Sequence, residues 1–230
     1  MNAPRVLFVI TSHGQKGDTG QPTGYYLPEV AHPWAILTDL GYTIDFVSPQ
    51  GGKSPVDGYN LTDPVNARFV ADATAQQKIN NSLTPARVNP NDYAAIYYAG
   101  GHGTMWDFPD NAELARIAGR IYDRGGLVGA VCHGPAGLVN IRLANGELLV
   151  KGKVVSAFTD EEEAAVKLDH VVPFLLESRL KALGAIHRKS PNFQPHVEVS
   201  ERLVTGQNPA SAAGVGEAMA KLLAEVAVPA

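Results

Sequence analysis

The chain contains a single cysteine, Cys132, among 230 residues. One thiol cannot close an internal disulfide or build a thiolate metal cluster, and such sparing use of cysteine suits a reducing cytosol. Charge is sparse as well. Charged residues make up 18% of the chain, against about 25% in an ordinary soluble protein. The formal net charge is -4, with no clustered run of lysine and arginine, so no nucleic-acid partner is expected. No apolar stretch nears the ~18 residues that span a bilayer, so no membrane segment is expected either. The run Arg5-Val6-Leu7-Phe8-Val9-Ile10-Thr11 is shorter in apolar residues than a secretory core of about 7, and no small-residue cleavage site follows. It reads as a first strand, and the expected location is the cytoplasm. The seven histidines, at 13, 32, 102, 133, 170, 187 and 196, form no HExxH-type pair, so no metal is expected. Gly14, Gly17 and Gly20 have the wrong spacing for a dinucleotide fingerprint, and Gly51-Gly52-Lys53-Ser54 lacks the first glycine of a P-loop. No cofactor is expected.

What is present is enough apolar material, 45% of residues, for one well-buried core, and single α/β domains commonly reach roughly 250 residues. One domain over residues 1–230 is expected. Strands are predicted at Arg5–Thr11, Thr43–Ser48, Ala94–Ala99 and Leu127–Val131, several apolar throughout as in strands buried on both faces. Helices are predicted at about Glu29–Leu40, Arg68–Leu83 and Asn111–Arg124. This alternation predicts a doubly wound α/β fold, a mostly parallel sheet flanked by helices. A short helix from Pro135, a strand Lys153–Ser156, a helix Pro173–Leu183, a hairpin of Val197–Ser200 with Arg202–Thr205, and a closing helix Ala210–Val226 complete the pattern. Residues 49–93 exceed a plain crossover and predict a helical excursion near the sheet's carboxyl end.

The segment richest in chemistry is Leu127-Val128-Gly129-Ala130-Val131-Cys132-His133-Gly134-Pro135. A buried strand runs into a turn of small residues, with proline where a helix would start. A nucleophile elbow needs small residues two before and two after the nucleophile, here Ala130 and Gly134. Such a turn would put the sulfur at a helix N-terminus, where the dipole favours thiolate. A lone cysteine among apolar residues is more often an inert buried thiol. The elbow composition and the adjacent His133 reverse that here. The backbone N–H of His133 is a candidate oxyanion donor.

A second loop, Ala99-Gly100-Gly101-His102-Gly103, follows another strand, and loops at strand carboxyl ends line the ligand crevice of open α/β sheets. Gly101 N–H is the candidate second oxyanion donor. Gly100, His102, Trp106, Phe108 and Tyr25 are candidate pocket residues, with His102 left open between site and solvent. Glu29, at the start of a helix, reads by itself as a surface carboxylate that favours the helix dipole. Asp160-Glu161-Glu162-Glu163 reads as a helix start with three of the four solvated and one left to orient His133.

Together these motifs resemble the ThiJ/PfpI superfamily, of the class I glutamine amidotransferase-like and flavodoxin-like fold, nearest its glyoxalase III and holdase-chaperone branch. The carriers are Thr23-Gly24 through Glu29, Gly101-His102-Gly103-Thr104, Ala130 through Pro135, Phe158 through Glu163, and Arg202 through Ser211, which extend over nearly the whole chain. The resemblance implies a Cys132-His133-Glu163 triad and places a further carboxyl, Glu29, on the sulfur. It implies a glutathione-independent, cofactor-independent lyase that converts methylglyoxal and water to lactate through a cysteine hemithioacetal, possible protein deglycase activity, a homodimer, and a small 2-oxoaldehyde as the binding partner. His133 would be the base, Glu163 would fix its tautomer, and Glu29 beside a thiolate would have a raised pKa. Ser156-Ala157-Phe158 departs from the usual Thr-Gly-Phe, and Pro191–Pro195 diverges.

Rival readings are a stress-response holdase or a redox sensor with little catalysis, the latter resting on a surface thiolate open to oxidation. Less favoured are a cysteine peptidase and a glutamine amidotransferase served by His196-Val197-Glu198. In that segment period-two alternation would turn Val197 and Val199 to the core and the two polar residues to solvent.

Overall fold

A computed structural model describes residues 4–226. The ends of the expected 1–230 domain, residues 1–3 and 227–230, lie outside the described residues. In chain order the elements are β1 (Arg5–Val9), β2 (Tyr25–Tyr26), α1 (Leu27–Asp39), β3 (Thr43–Val47), β4 (Val56–Asp57), α2 (Pro64–Ala71), α3 (Ala73–Asn80), β5 (Ala95–Tyr98), α4 (Thr104–Asp107), α5 (Ala112–Asp123), β6 (Leu127–Val131), β7 (Val154–Val155), α6 (Asp160–Ala165), α7 (Leu176–Ala182), β8 (Ile186–His187), β9 (Val197–Ser200), β10 (Leu203–Gly206) and α8 (Ala212–Val226).

The central sheet has six strands in the order β3-β1-β5-β6-β10-β9. All neighbours pair in parallel except β9, which returns antiparallel on β10 as the expected hairpin. The parallel part has the flavodoxin-like order, so the doubly wound α/β prediction holds. Alternation along each strand feeds two cores. Leu7, Val9, Ile96, Tyr98, Val128 and Ala130 enter one core with α5 and α7. Val6, Phe8, Ala95, Tyr97, Leu127 and Val131 enter the other with α1 and α8. Both faces are covered, which is why the strands read as unbroken apolar runs.

Three predicted elements change. The helix expected at Arg68–Leu83 is two helices, α2 and α3. Asp63 caps α2 through Val65 N–H at 2.8 Å, ahead of a proline already shaped for a first helical turn. Asp72 leaves the helical region, and its side chain caps α3 through Ala75 N–H at 2.8 Å. The strand expected at Lys153–Ser156 shrinks to β7 and pairs with β8 in a separate ribbon, because Ser156 N–H donates to the Thr205 hydroxyl at 2.9 Å instead. The short helix after the elbow is a five-residue 3-10 turn, Gly134–Leu138. No helix among the described residues is long and apolar enough to cross a membrane.

Candidate active site

The elbow forms as its composition predicts. Cys132 sits in the left-handed region at φ 59°, which is costly for a residue with a side chain and is kept where surrounding structure imposes it. Its amide donates to Gly206 at 2.9 Å, and its carbonyl accepts from Phe158 N–H at 2.9 Å. A Cβ at Gly134 would lie 2.2 Å from the Tyr98 carbonyl, so the turn passes β5 only with glycine there. The sulfur is thereby lifted off the carboxyl end of β6 into a cavity of about 360 Å3.

His133 takes the next position and is 1% exposed. Its Nδ1 lies 3.4 Å from the Cys132 sulfur, and its Nε2 lies 2.6 Å from Glu163 Oε2. A carboxylate can only accept, so Nε2 carries the proton and Nδ1 presents a lone pair to the thiol. Phe158 packs on the ring at 4.3 Å between centroids. The expected triad is assembled.

Glu163 comes from α6, whose start is fixed by a capping box. The Thr159 hydroxyl accepts from Glu162 N–H, and Glu162 Oε2 accepts from Thr159 N–H, both at 3.0 Å. The acidic run is not mainly solvated, as the sequence reading had it. Of the four, only Glu161 is exposed, while Glu162 and Glu163 are buried. Burial alone would raise the Glu163 pKa, but His133 and His102 hold it down at about 2.

His102 faces the site. Its Nε2 donates to the second Glu163 oxygen, Oε1, at 2.7 Å, and its ring lies 4.1 Å from that of His133. Burial and the charge of His133 lower its pKa to about 4, so it is neutral near pH 7. His102, His133 and Glu163 place three ligand-type atoms within 4.8 Å of one another, a grouping that HExxH spacing could not reveal. Both nitrogens act as donors to the carboxylate, so a metal would have to displace both protons.

Glu29 is fully buried. Its helix is anchored to the sheet by the Tyr97 hydroxyl, which donates to the Glu29 carbonyl at 2.6 Å. The carboxyl packs over Gly100, where a Cβ would come within 2.3 Å of Oε2 and 3.0 Å of the Cys132 Cβ. Glycine at 100 is what lets Glu29 reach the sulfur. Neither carboxyl oxygen closes a hydrogen bond of ordinary geometry. Burial raises the Glu29 pKa to about 8, and the Cys132 sulfur and Gly100 amide offset this only in part. Desolvation, rather than a neighbouring thiolate, is the leading cause.

Burial works against the thiolate expectation. Burial pushes the Cys132 thiol up, and the His133 amide opposes it. Cys132 is 4% exposed, and the 3-10 turn behind it is too short for a helix dipole to compensate. Burial thus favours a thiol, and the His133 lone pair stands beside it to take the proton. The redox-sensor reading rested on a surface thiolate, and Cys132 is instead buried at the cavity.

The raised Glu29 pKa links stability to pH. The unfolded carboxyl ionises near 4.5 and the folded one near 8. Its contribution is fully present below pH 4.5 and is lost as pH rises towards 8. Glu29→Gln is expected to flatten the fall in Tm between pH 5 and pH 8 relative to wild type. Parallel Tm curves for the two proteins would contradict the assignment.

The cavity is lined by Glu29, Gly101, His102, Cys132 and His133 at its floor. Three candidate pocket residues lie elsewhere. Trp106 stacks on His13 at 5.2 Å, and Phe108 is buried against Tyr98 at 5.6 Å, because α4 turns both from the cavity. Tyr25 is buried in the core behind the site, and strand alternation gives its place in the cavity to Tyr26. Gly100 contributes its backbone: its close approach to Glu29, and a carbonyl that accepts from Tyr26 N–H at 3.1 Å. Lys16, Gln21, Asp57, Phe158, Val166, Leu168, Phe193 and Pro209 also line the cavity. Of these only Phe158 and Pro209 carried a sequence signal, as parts of the family motifs.

The His-x-Glu rival is absent from the cavity. His196 pairs with Glu198 at 2.9 Å and with the Ser190 hydroxyl at 3.0 Å. Val199, expected in the core, is 48% exposed, because β9 is the edge strand and helices cover it only partly.

The chain is similar to known proteins in sequence and in fold. Glutathione-independent glyoxalase HSP31 of Saccharomyces cerevisiae is 33% identical over 92% of this chain and 94% of its own. Glyoxalase 3 of Candida albicans is 31% identical over 93% and 95%. Among solved structures, glyoxalase III from Candida albicans superposes with a TM-score of 0.86 at 28% identity, covering 96% of this chain and 98% of that one. The 24 kDa Rapid Encystment Protein of Francisella tularensis superposes with a TM-score of 0.92 at 39% identity, covering 96% and 99%. With the family profile matching residues 23–222 as well, the chain belongs to the DJ-1/PfpI family.

Proposed function

We propose that the protein is a glutathione-independent glyoxalase that converts a 2-oxoaldehyde and water to the 2-hydroxy acid, with no cofactor. The observation that carries this is the alignment of Cys132 Sγ, His133 Nδ1 and Glu163 at 3.4 and 2.6 Å, with a protonated carboxyl, Glu29, packed on the same sulfur. Names and coverage of the relatives support the reading.

The chemistry balances within the substrate. As the sulfur attacks the aldehyde carbon, His133 Nδ1 takes the thiol proton and passes it to the new alkoxide, steadied by the Gly101 and His133 amides. His133, neutral again, removes the hydrogen from that carbon while Glu29 protonates the oxygen of the second carbonyl, giving an enediol. His133 then returns its proton to the second carbon, and the first hydroxyl gives its proton to Glu29, leaving a thioester. Water attacks the thioester with help from His133, and the sulfur leaves with the proton. The aldehyde carbon is oxidised and the ketone carbon reduced, so only protons pass through the protein.

With methylglyoxal in D2O and no glutathione, the expected product is lactate carrying solvent deuterium at its second carbon. NMR of the product checks this. Absence of lactate would overturn the reading; deuterium at the second carbon excludes a hydride shift, whereas lactate without it also results when His133 returns the proton before it exchanges with solvent.

A further inference from the structure

The cavity is far larger than methylglyoxal requires. Its volume of about 360 Å3 falls within the roughly 300–1,000 Å3 of pockets that hold drug-sized ligands. Methylglyoxal places one methyl group beyond its two carbonyls and leaves most of this space to solvent. The lining includes the apolar residues Phe158, Val166, Leu168, Phe193 and Pro209 beside the polar Lys16 and Asp57.

Phe193 is built into that lining rather than left on it. It is 47% exposed, yet its backbone is held at φ 62°, a region that residues with side chains avoid. Its N–H donates to Glu162 Oε1 at 2.7 Å. The same buried oxygen also takes Gln207 Nε2 at 3.0 Å and Asn208 Nδ2 at 2.9 Å. A buried carboxylate with these three donors fixes the strained residue firmly, and such strain concentrates at functional positions. The ring stands 6.4 Å from Phe158, which itself lies on His133. An aromatic path thus runs from the catalytic imidazole to the rim.

Resting on the glyoxalase reading, we propose that this site prefers a 2-oxoaldehyde whose ketone carries a flat apolar group, an aryl glyoxal, with its ring laid against the surface that Phe158 and Phe193 form together. A ring seated there loses apolar surface to water and faces aromatic edges, whereas a methyl group reaches neither residue.

The test compares kcat/KM for phenylglyoxal, which yields mandelate, with that for methylglyoxal, without glutathione. In wild type, phenylglyoxal is expected to lead by about tenfold, mainly through KM. Phe193→Gly accepts the left-handed backbone while removing the ring, and is expected to lower the phenylglyoxal-to-methylglyoxal ratio about tenfold. Phe193→Tyr keeps an aromatic ring and is expected to keep the ratio. Tm confirms that each variant is folded. If methylglyoxal is turned over but the ratio is unmoved in Phe193→Gly, or wild type does not favour phenylglyoxal, the aryl preference is wrong and the glyoxalase reading stands. If neither aldehyde yields a hydroxy acid, the glyoxalase reading itself fails.

Discussion

Cys132→Ser is expected to abolish hydroxy-acid formation, with kcat/KM falling by about 10,000-fold or more. The sulfur can attack from the thiol state because His133 Nδ1 stands 3.4 Å away and takes a proton that, even raised by burial, is held less tightly than a hydroxyl's. A serine hydroxyl in the same place holds its proton far more tightly, and burial that already disfavours the thiolate would disfavour an alkoxide more. The fold has no reason to fail. Serine is nearly isosteric, and the left-handed turn is imposed by backbone bonds to Gly206 and Phe158 that do not involve the side chain. Lactate assay together with Tm separates the cases. Residual turnover above about one per cent in a folded variant would remove covalent catalysis from the mechanism.

Glu163→Gln is expected to lower kcat by about a thousandfold to ten-thousandfold with little change in KM. The wild-type carboxylate accepts from two imidazoles at once, His133 at 2.6 Å and His102 at 2.7 Å. An amide has one accepting end. Whichever way it turns, its NH2 meets one of the two N–H groups, and the easiest relief is for that histidine to move its proton to Nδ1. In His133 this puts a proton where the thiol needs a lone pair. The charge of Glu163, held at a pKa of about 2, is also lost as support for the imidazolium. Single-turnover kinetics check the step affected. A variant with near wild-type kcat would show that His133 needs no such partner.

What the sequence revealed of this site follows the distance over which each interaction acts. The elbow was legible because its parts are contiguous: an apolar strand, small residues either side of Cys132, and a proline beyond. The base is the next residue along. The sheet was legible for the same reason, since runs buried on both faces announce themselves locally. Glu29 and Glu163 were not legible from their own neighbourhoods, and family resemblance was needed to single them out. A carboxylate in a first helical turn looks like a surface residue until packing of α1 and α6 removes the water around it. The His102–Glu163 contact joins residues 61 apart, so no local pattern contains it. Trp106, Phe108 and Tyr25 were selected for standing near a motif, but the phase of α4 and the alternation of β2 decide which side chains reach the cavity. The ionisation of Cys132 was not legible because its environment is a product of burial. Residues of the cavity lining, Lys16, Asp57, Leu168 and Phe193 among them, come from loops whose meeting no periodicity records.

One short helix binds two tasks together. Successive side chains on a helix diverge by about 100°, and α6 uses that divergence. Glu162 points towards the loop carrying Phe193, and Glu163 points towards the imidazoles. Insertion or deletion of a single residue between the capping threonine and Glu163 would misdirect both at once. Appetite and speed therefore share a hinge pin. A lineage that broadens its diet must do so by exchanging the outlying side chains, because reshaping their common mount would stall the engine.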